Sequence, residues 1–203
     1  MKIFLPQKHK FRSSRQIAQL SFSFLLLVWL SFSSYAVKAS EILFVEVQEV
    51  NGTYQVILES LLNAPNDLIF KQFIAYDRLP SINASIREAT VIGNYQDLIH
   101  RIRVVTELCV LIFCKSVTHV QDMEQKDRNE VIATIIPEMS DFSSGKAQWS
   151  FKKDQVSKTR LTFSGQFTPS FWVPPLIGTW ALKRMLKSEV IETSNGLERM
   201  ANR

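Results

Sequence analysis

The chain has 203 residues, 46% of them hydrophobic and 21% charged, with 24 Lys and Arg against 19 Asp and Glu and a formal net charge of +5. Six basic residues (Lys2, Lys8, Lys10, Arg12, Arg15 and Lys38) fall in the first 39 positions, which hold no acidic residue, so the rest carries 18 basic against 19 acidic groups. That remainder is near neutral and has no run of more than two adjacent Lys or Arg, so it lacks the basic stripe that tracks phosphates, and no nucleic-acid partner is expected.

The N-terminal 39 residues read as an export signal. A basic stretch is followed by an apolar and serine run from Leu20 to Phe32 and then by small residues. Val37-Lys38-Ala39 has the small-x-small spacing of a cleavage site, with Ser34-Tyr35-Ala36 as an earlier one. The apolar run spans about 13 residues, against the ~20 of a membrane-crossing helix. The expected organisation is a signal peptide over 1–39 and one domain over 40–203, delivered to a bacterial periplasm. The alternative is a domain anchored in the membrane by an uncleaved leader.

Glu41 to Leu62 predicts a hairpin. Alternating apolar residues lie on both sides of Asn51-Gly52, a pair suited to the positive φ angles of a type I′ turn. Ala64-Pro65-Asn66-Asp67 opens a helix carrying Ile69, Phe70, Phe73 and Ile74 at helical spacing, and Pro80 is expected to end it. From Ser81 the period becomes two, with strands predicted over 84–92, 97–106, 113–123, 129–136, 148–153 and 159–167. In the last of these Leu161, Phe163, Gly165 and Phe167 share one face, the pattern of a strand wet on its other side. A stiff aromatic loop, Pro169 to Pro175, precedes a long helical pattern from Leu176. Its apolar stripe includes Trp180, Leu186, Val190, Leu197 and Met200, with Lys183, Arg184, Lys187 and Glu198 between them and Lys183, Arg184 and Lys187 on the side left for water. Gly196 is expected to bend or fray the last turn. The fold class is α+β, a curved antiparallel sheet wrapped around one long C-terminal helix.

That order, with three local strings, resembles the START-like superfamily and its helix-grip fold. Within it the likeness is to the polyketide cyclase/dehydrase and coenzyme-Q-binding branch, and to exported bacterial members. The strings are Tyr54-Gln-Val-Ile-Leu-Glu-Ser-Leu-Leu-Asn-Ala-Pro65, Phe73-Ile-Ala-Tyr-Asp-Arg-Leu-Pro80 and Phe167-Thr-Pro-Ser-Phe-Trp-Val-Pro-Pro-Leu-Ile-Gly178. The resemblance implies a cavity between sheet and helix that takes a lipid, quinone or other hydrophobic small molecule, without implying a shared catalytic set. Trp149, Phe151, Phe163, Phe167, Leu176, Trp180, Phe73 and His100 are the expected ligand-binding residues, with Trp180 facing the sheet. Phe171 and Trp172 are either a plug over the core or a membrane-touching lip.

Cys109 and Cys114 leave two geometries open. In one straight strand their sulfurs would be far apart on opposite faces; across a hairpin they would be able to bond. An exported location favours the bond. The spacings of metal sites, nucleophile elbows and phosphate loops are absent from the sequence, and no metal, cofactor or catalytic residue is expected. His119 and Asp122 fall on opposite faces of their strand. His100 is assigned inward as a hydrogen-bonded interior histidine. The expected function is non-enzymatic binding of a hydrophobic ligand. Its rivals are a cyclase- or hydrolase-like enzyme using the same cavity and an interaction protein whose cavity is vestigial.

Overall fold

A computed structural model describes residues 40–95, 98–110, 113–173 and 177–203, all within one compact unit. The expected leader over 1–39 and Leu176 lie outside the described residues.

The hairpin forms as predicted. β1 (Glu41–Val50) and β2 (Thr53–Leu62) pair in antiparallel register, joined by Asn51 at φ 52° and Gly52 at φ 80°. After β2 the chain enters α1 (Asn66–Phe73), which turns Ile69, Phe70 and Phe73 into the core. A one-turn 3-10 helix (Tyr76–Arg78) and the short α2 (Leu79–Ile82) follow. Pro80 therefore starts a helical turn where the sequence predicted a stop. In the first turn its missing N–H has no intrahelical partner to lose.

The chain then meanders through β3 (Ile86–Tyr95), β4 (Ile99–Val110), β5 (Phe113–Gln125), β6 (Glu130–Ile135), β7 (Phe142–Gln155) and β8 (Lys158–Pro169). The eight strands make one antiparallel sheet in the order β1-β2-β8-β7-β6-β5-β4-β3. β7 begins six residues before its predicted start. Ser143-Ser144-Gly145 hid that half of the strand, because it carries few β-favouring residues. Cys109 lies directly opposite Cys114 in the β4–β5 ladder, and the two are disulfide-bonded, which selects the hairpin geometry.

The last element is α3 (Ile177–Ala201), lying over the inner face of the sheet. Its final turns are docked closely. A Cβ built on Gly196 would come within 1.8 Å of the Ile82 carbonyl oxygen. Gly196 is thus a close-approach residue and not a fraying point; the helix runs unbroken through it to Ala201. Beside it the Ser194 hydroxyl lies 2.8 Å from that of Ser60 and 3.2 Å from that of Ser40. Glu198, which falls between the stripe residues, is buried as well. It is 2% exposed, and its carboxylate accepts the backbone N–H of Asn63 at 2.6 Å. Asn202 closes the helix: its backbone N–H and its side chain both donate to the Glu198 carbonyl, and the side chain donates as well to the Asn63 carbonyl after β2.

Candidate functional site

The interior divides at Trp149. On one side its ring packs on Phe73, with centroids 5.2 Å apart, and Phe73 in turn meets Phe151 at 4.9 Å. Phe70 adds an edge contact to Phe151 at 5.6 Å. This aromatic stack beneath α1 is solid, and Phe151 is wholly buried. On its other side Trp149 meets Phe163, its register partner on β8, at 5.0 Å. Beyond that pair the packing opens.

The open region is a cavity of about 210 Å³ between the sheet and the middle turns of α3. Leu58, Ile135, Phe142, Trp149, Leu161, Phe163 and Phe167 line its sheet side together with Leu108 and Val117. Leu186 and Val190 of α3 and Ile86 of β3 complete the apolar lining. Gly165 helps to hold it open: a Cβ there would come within 2.7 Å of the Phe163 ring and 2.9 Å of the Phe167 ring. The alternation predicted for β8 is thus what puts two aromatics on one wall with a glycine between them.

Polar groups on the wall are few, and they cluster. Thr106, His119 and Gln121 come from the inner face of β4 and β5, and Asn83, Glu189 and Thr193 from the helical side. The Glu189 carboxylate is engaged, accepting from the Asn83 amide at 2.8 Å and the Ser85 hydroxyl at 2.7 Å. Asn83 also donates to the Thr193 hydroxyl at 3.1 Å. Gln121 gives one N–H to the Met123 sulfur at 3.3 Å. His119 faces Phe142 edge-on at 6.2 Å. Burial pushes its pKa down to about 4, since a charged imidazole would lose its hydration there.

Several expected site residues are brought together: Trp149, Phe163 and Phe167 line the cavity. Phe73 and Phe151 do not; they form the solid stack behind Trp149. His100 is half-buried and outside the cavity lining, near the Tyr76 ring at 5.8 Å and hydrogen-bonded at the surface to the exposed Asn94 side chain at 2.7 Å, so it is neither a cavity residue nor the interior histidine expected. Trp180 is the clearest correction. It is 60% exposed, with the Arg184 guanidinium 5.9 Å from its ring centroid, and it does not face the sheet. At 100° per residue it sits 120° around the helix from Leu186, so the stripe that meets the sheet passes it by. Trp180 instead stands between two surface grooves. One, toward β3 and β4, is bordered by Arg87, Glu107, Cys109, Met185 and Ser188; the other, toward β1, by Val45, Val47, Lys183 and Lys187. Glu189 borders both the first groove and the cavity.

Trp172 is 78% exposed. Phe171 is half-buried beside the Phe142 ring, at 6.2 Å, with the Lys115 ammonium 5.1 Å from its own ring. Phe142 thus touches the aromatic loop outside and lines the cavity inside. Asp122 is bound by the Arg101 guanidinium at 2.7 and 2.8 Å, away from the cavity, as the opposite-face reading of His119 and Asp122 requires.

No family model matches the chain, and no curated protein matches it. Solved structures do. The Zhui aromatase/cyclase from Streptomyces sp. R1128 superposes with a TM-score of 0.64 at 12% identity, covering 74% of this chain and 94% of the other. A STAR-related lipid transfer protein from Xanthomonas axonopodis gives 0.62 at 13% identity, with 82% and 100% covered. A START superfamily protein from Mycobacterium smegmatis gives 0.60 at 14% identity, with 73% and 97% covered. The chain has the START-like helix-grip fold, as the resemblance of its sequence implied.

Proposed function

We propose that this protein binds or carries a hydrophobic small molecule in the cavity between its sheet and α3. The observation that carries the reading is the cavity itself: about 210 Å³, walled mainly by aliphatic and aromatic side chains, with its few polar groups gathered on the β4–β5 side and at the helix. That is the composition of a small-molecule site. The similar structures, a lipid transfer protein and an aromatase/cyclase among them, support an apolar ligand of this general kind. A lipid or isoprenoid quinone is the finer identity we assign, with delivery to the periplasm by the leader over 1–39. A membrane-resident ligand has to be collected from a bilayer, and we assign that contact to Phe171 and exposed Trp172, whose rings suit the headgroup region.

Binding is favoured over catalysis by the state of His119. A general base works best with a pKa near the working pH, and this imidazole is held near 4. At neutral pH it remains uncharged and weakly basic, suited to hydrogen bonding and not to proton abstraction.

Native mass spectrometry of the gently purified full chain, followed by organic extraction, tests the proposal. The expected result is an apolar molecule at one copy per chain, lost when Val190→Trp fills the cavity. A chain that is ligand-free from every source, with identical spectra for the variant, would count against it.

A further inference from the structure

The cavity wall specifies more than hydrophobicity, and the following step rests on reading it as a ligand site. A volume of about 210 Å³ is close to the ~150 Å³ of an apolar cavity that accepts benzene, and below the ~300–1,000 Å³ of sites that enclose drug-sized ligands. The part of an occupant that the cavity holds is therefore about one ring in size. Flat aromatic faces, those of Phe142, Trp149, Phe163 and Phe167, form much of the wall.

Against these faces stands unused hydrogen-bonding capacity. Neither ring nitrogen of His119 bonds to another protein group among the described residues, and the Gln121 amide has only the Met123 sulfur. Thr106 and His119 both face the cavity, on neighbouring strands, with Gln121 two positions further along β5. Across from them the Glu189 carboxylate is already satisfied by Asn83 and Ser85. A purely apolar occupant would leave the His119 and Gln121 groups desolvated and unpaired, which is costly. An anionic occupant would lose its hydration and share the space with the Glu189 carboxylate. We propose that the cavity selects an uncharged, single-ring headgroup bearing a hydroxyl or carbonyl, held by Thr106, His119 and Gln121. His119 and Glu189 are the titratable groups on the wall among the described residues. Burial keeps His119 neutral through the physiological range, so its ring offers one donor and one acceptor.

Calorimetric titration of the full chain with toluene, 4-methylphenol and 4-methylbenzoate separates the requirements, because the three share a ring and differ in the polar group. The expected order is 4-methylphenol about ten-fold or more tighter than toluene, with no saturable binding of 4-methylbenzoate at neutral pH. Gln121→Leu and His119→Phe should each bring 4-methylphenol to within about two-fold of toluene while toluene binding persists. Should His119→Phe not fold, Gln121→Leu carries the test alone. Equal affinities for toluene and 4-methylphenol in the parent chain, or an undiminished preference in Gln121→Leu, would overturn the headgroup assignment and leave the apolar site standing. No saturable binding by any of the three rings would remove the ligand site itself.

Discussion

The two halves of α3 meet the rest of the molecule in opposite ways. Around Ser194, Gly196, Leu197 and Glu198 the helix is docked so closely that an added methyl has no room, and its polar groups are bonded to Ser40, Ser60 and Asn63. Around Leu186, Glu189 and Val190 it arches over a cavity, and farther toward its N-terminus exposed Trp180 stands between two grooves. One continuous helix thus serves as a fixed anchor at one end and a roof at the other. Interiors are ordinarily close-packed, so the open half is the part that packing alone does not explain.

The contrast predicts unequal costs for equal truncations. Leu197 is 0% exposed in the anchored half, so Leu197→Ala should cost about 4 kcal/mol. Leu186 already borders empty space, and Leu186→Ala should cost about 2 kcal/mol or less. Urea denaturation of both variants measures the difference, and equal losses would break the distinction between the halves.

Acid should act through the open half. The folded state holds His119 near 4, while the unfolded chain returns it to about 6.5. The unfolded state therefore binds more protons between those values, and stability falls as pH is lowered from about 6.5 toward 4. One such group contributes about 3 kcal/mol of loss by pH 4. Unfolding curves across this window should be steeper in pH for the parent chain than for His119→Gln, and parallel curves would contradict the assignment.

Gly196→Ala sharpens the other side of the comparison. Alanine is favoured over glycine in a helix by about 1 kcal/mol, but here its Cβ would strike the Ile82 carbonyl. A net loss of about 2 kcal/mol is expected, read as a lower midpoint in chemical denaturation. A gain would mean that the helix is free to lift there.

The Cys109–Cys114 bond lies at the rim of the groove beside Trp180. Closing so short a loop contributes about 2 kcal/mol on chain-entropy arithmetic. The double serine variant should therefore still fold, with its loss confined to the open end. Hydrogen exchange should quicken in β4 and β5 near residue 110 and stay unchanged around Leu197.

Much of this arrangement was legible in the residues. The alternation of Leu161, Phe163, Gly165 and Phe167 marked the wall, and Asn51-Gly52 marked the turn. What escaped has particular causes. Spacing from Leu176 groups Trp180 with the stripe, although its angle turns it away from Leu186. His119 shares its strand face with Val117, Gln121 and Met123, yet Val120 on the other face is buried as well, so hydropathy did not choose between them. Phe142 was hidden by the serines that follow it. The burial of Glu198 is not legible locally, because its partner is a backbone N–H 135 residues away, a contact that no local pattern carries.

The central claim is that the ligand lies beneath the α3 arch, lined by Val190 and Trp149, and not in the grooves around Trp180. Titrating the full chain with 4-methylphenol and following heat release in Val190→Phe and Trp180→Ala, each checked for folding by thermal unfolding, tests it most directly. The account predicts that Val190→Phe abolishes saturable binding and that Trp180→Ala leaves the affinity within about two-fold of the parent chain. Retained binding in Val190→Phe, with loss in Trp180→Ala, would place the ligand outside the cavity and contradict the account.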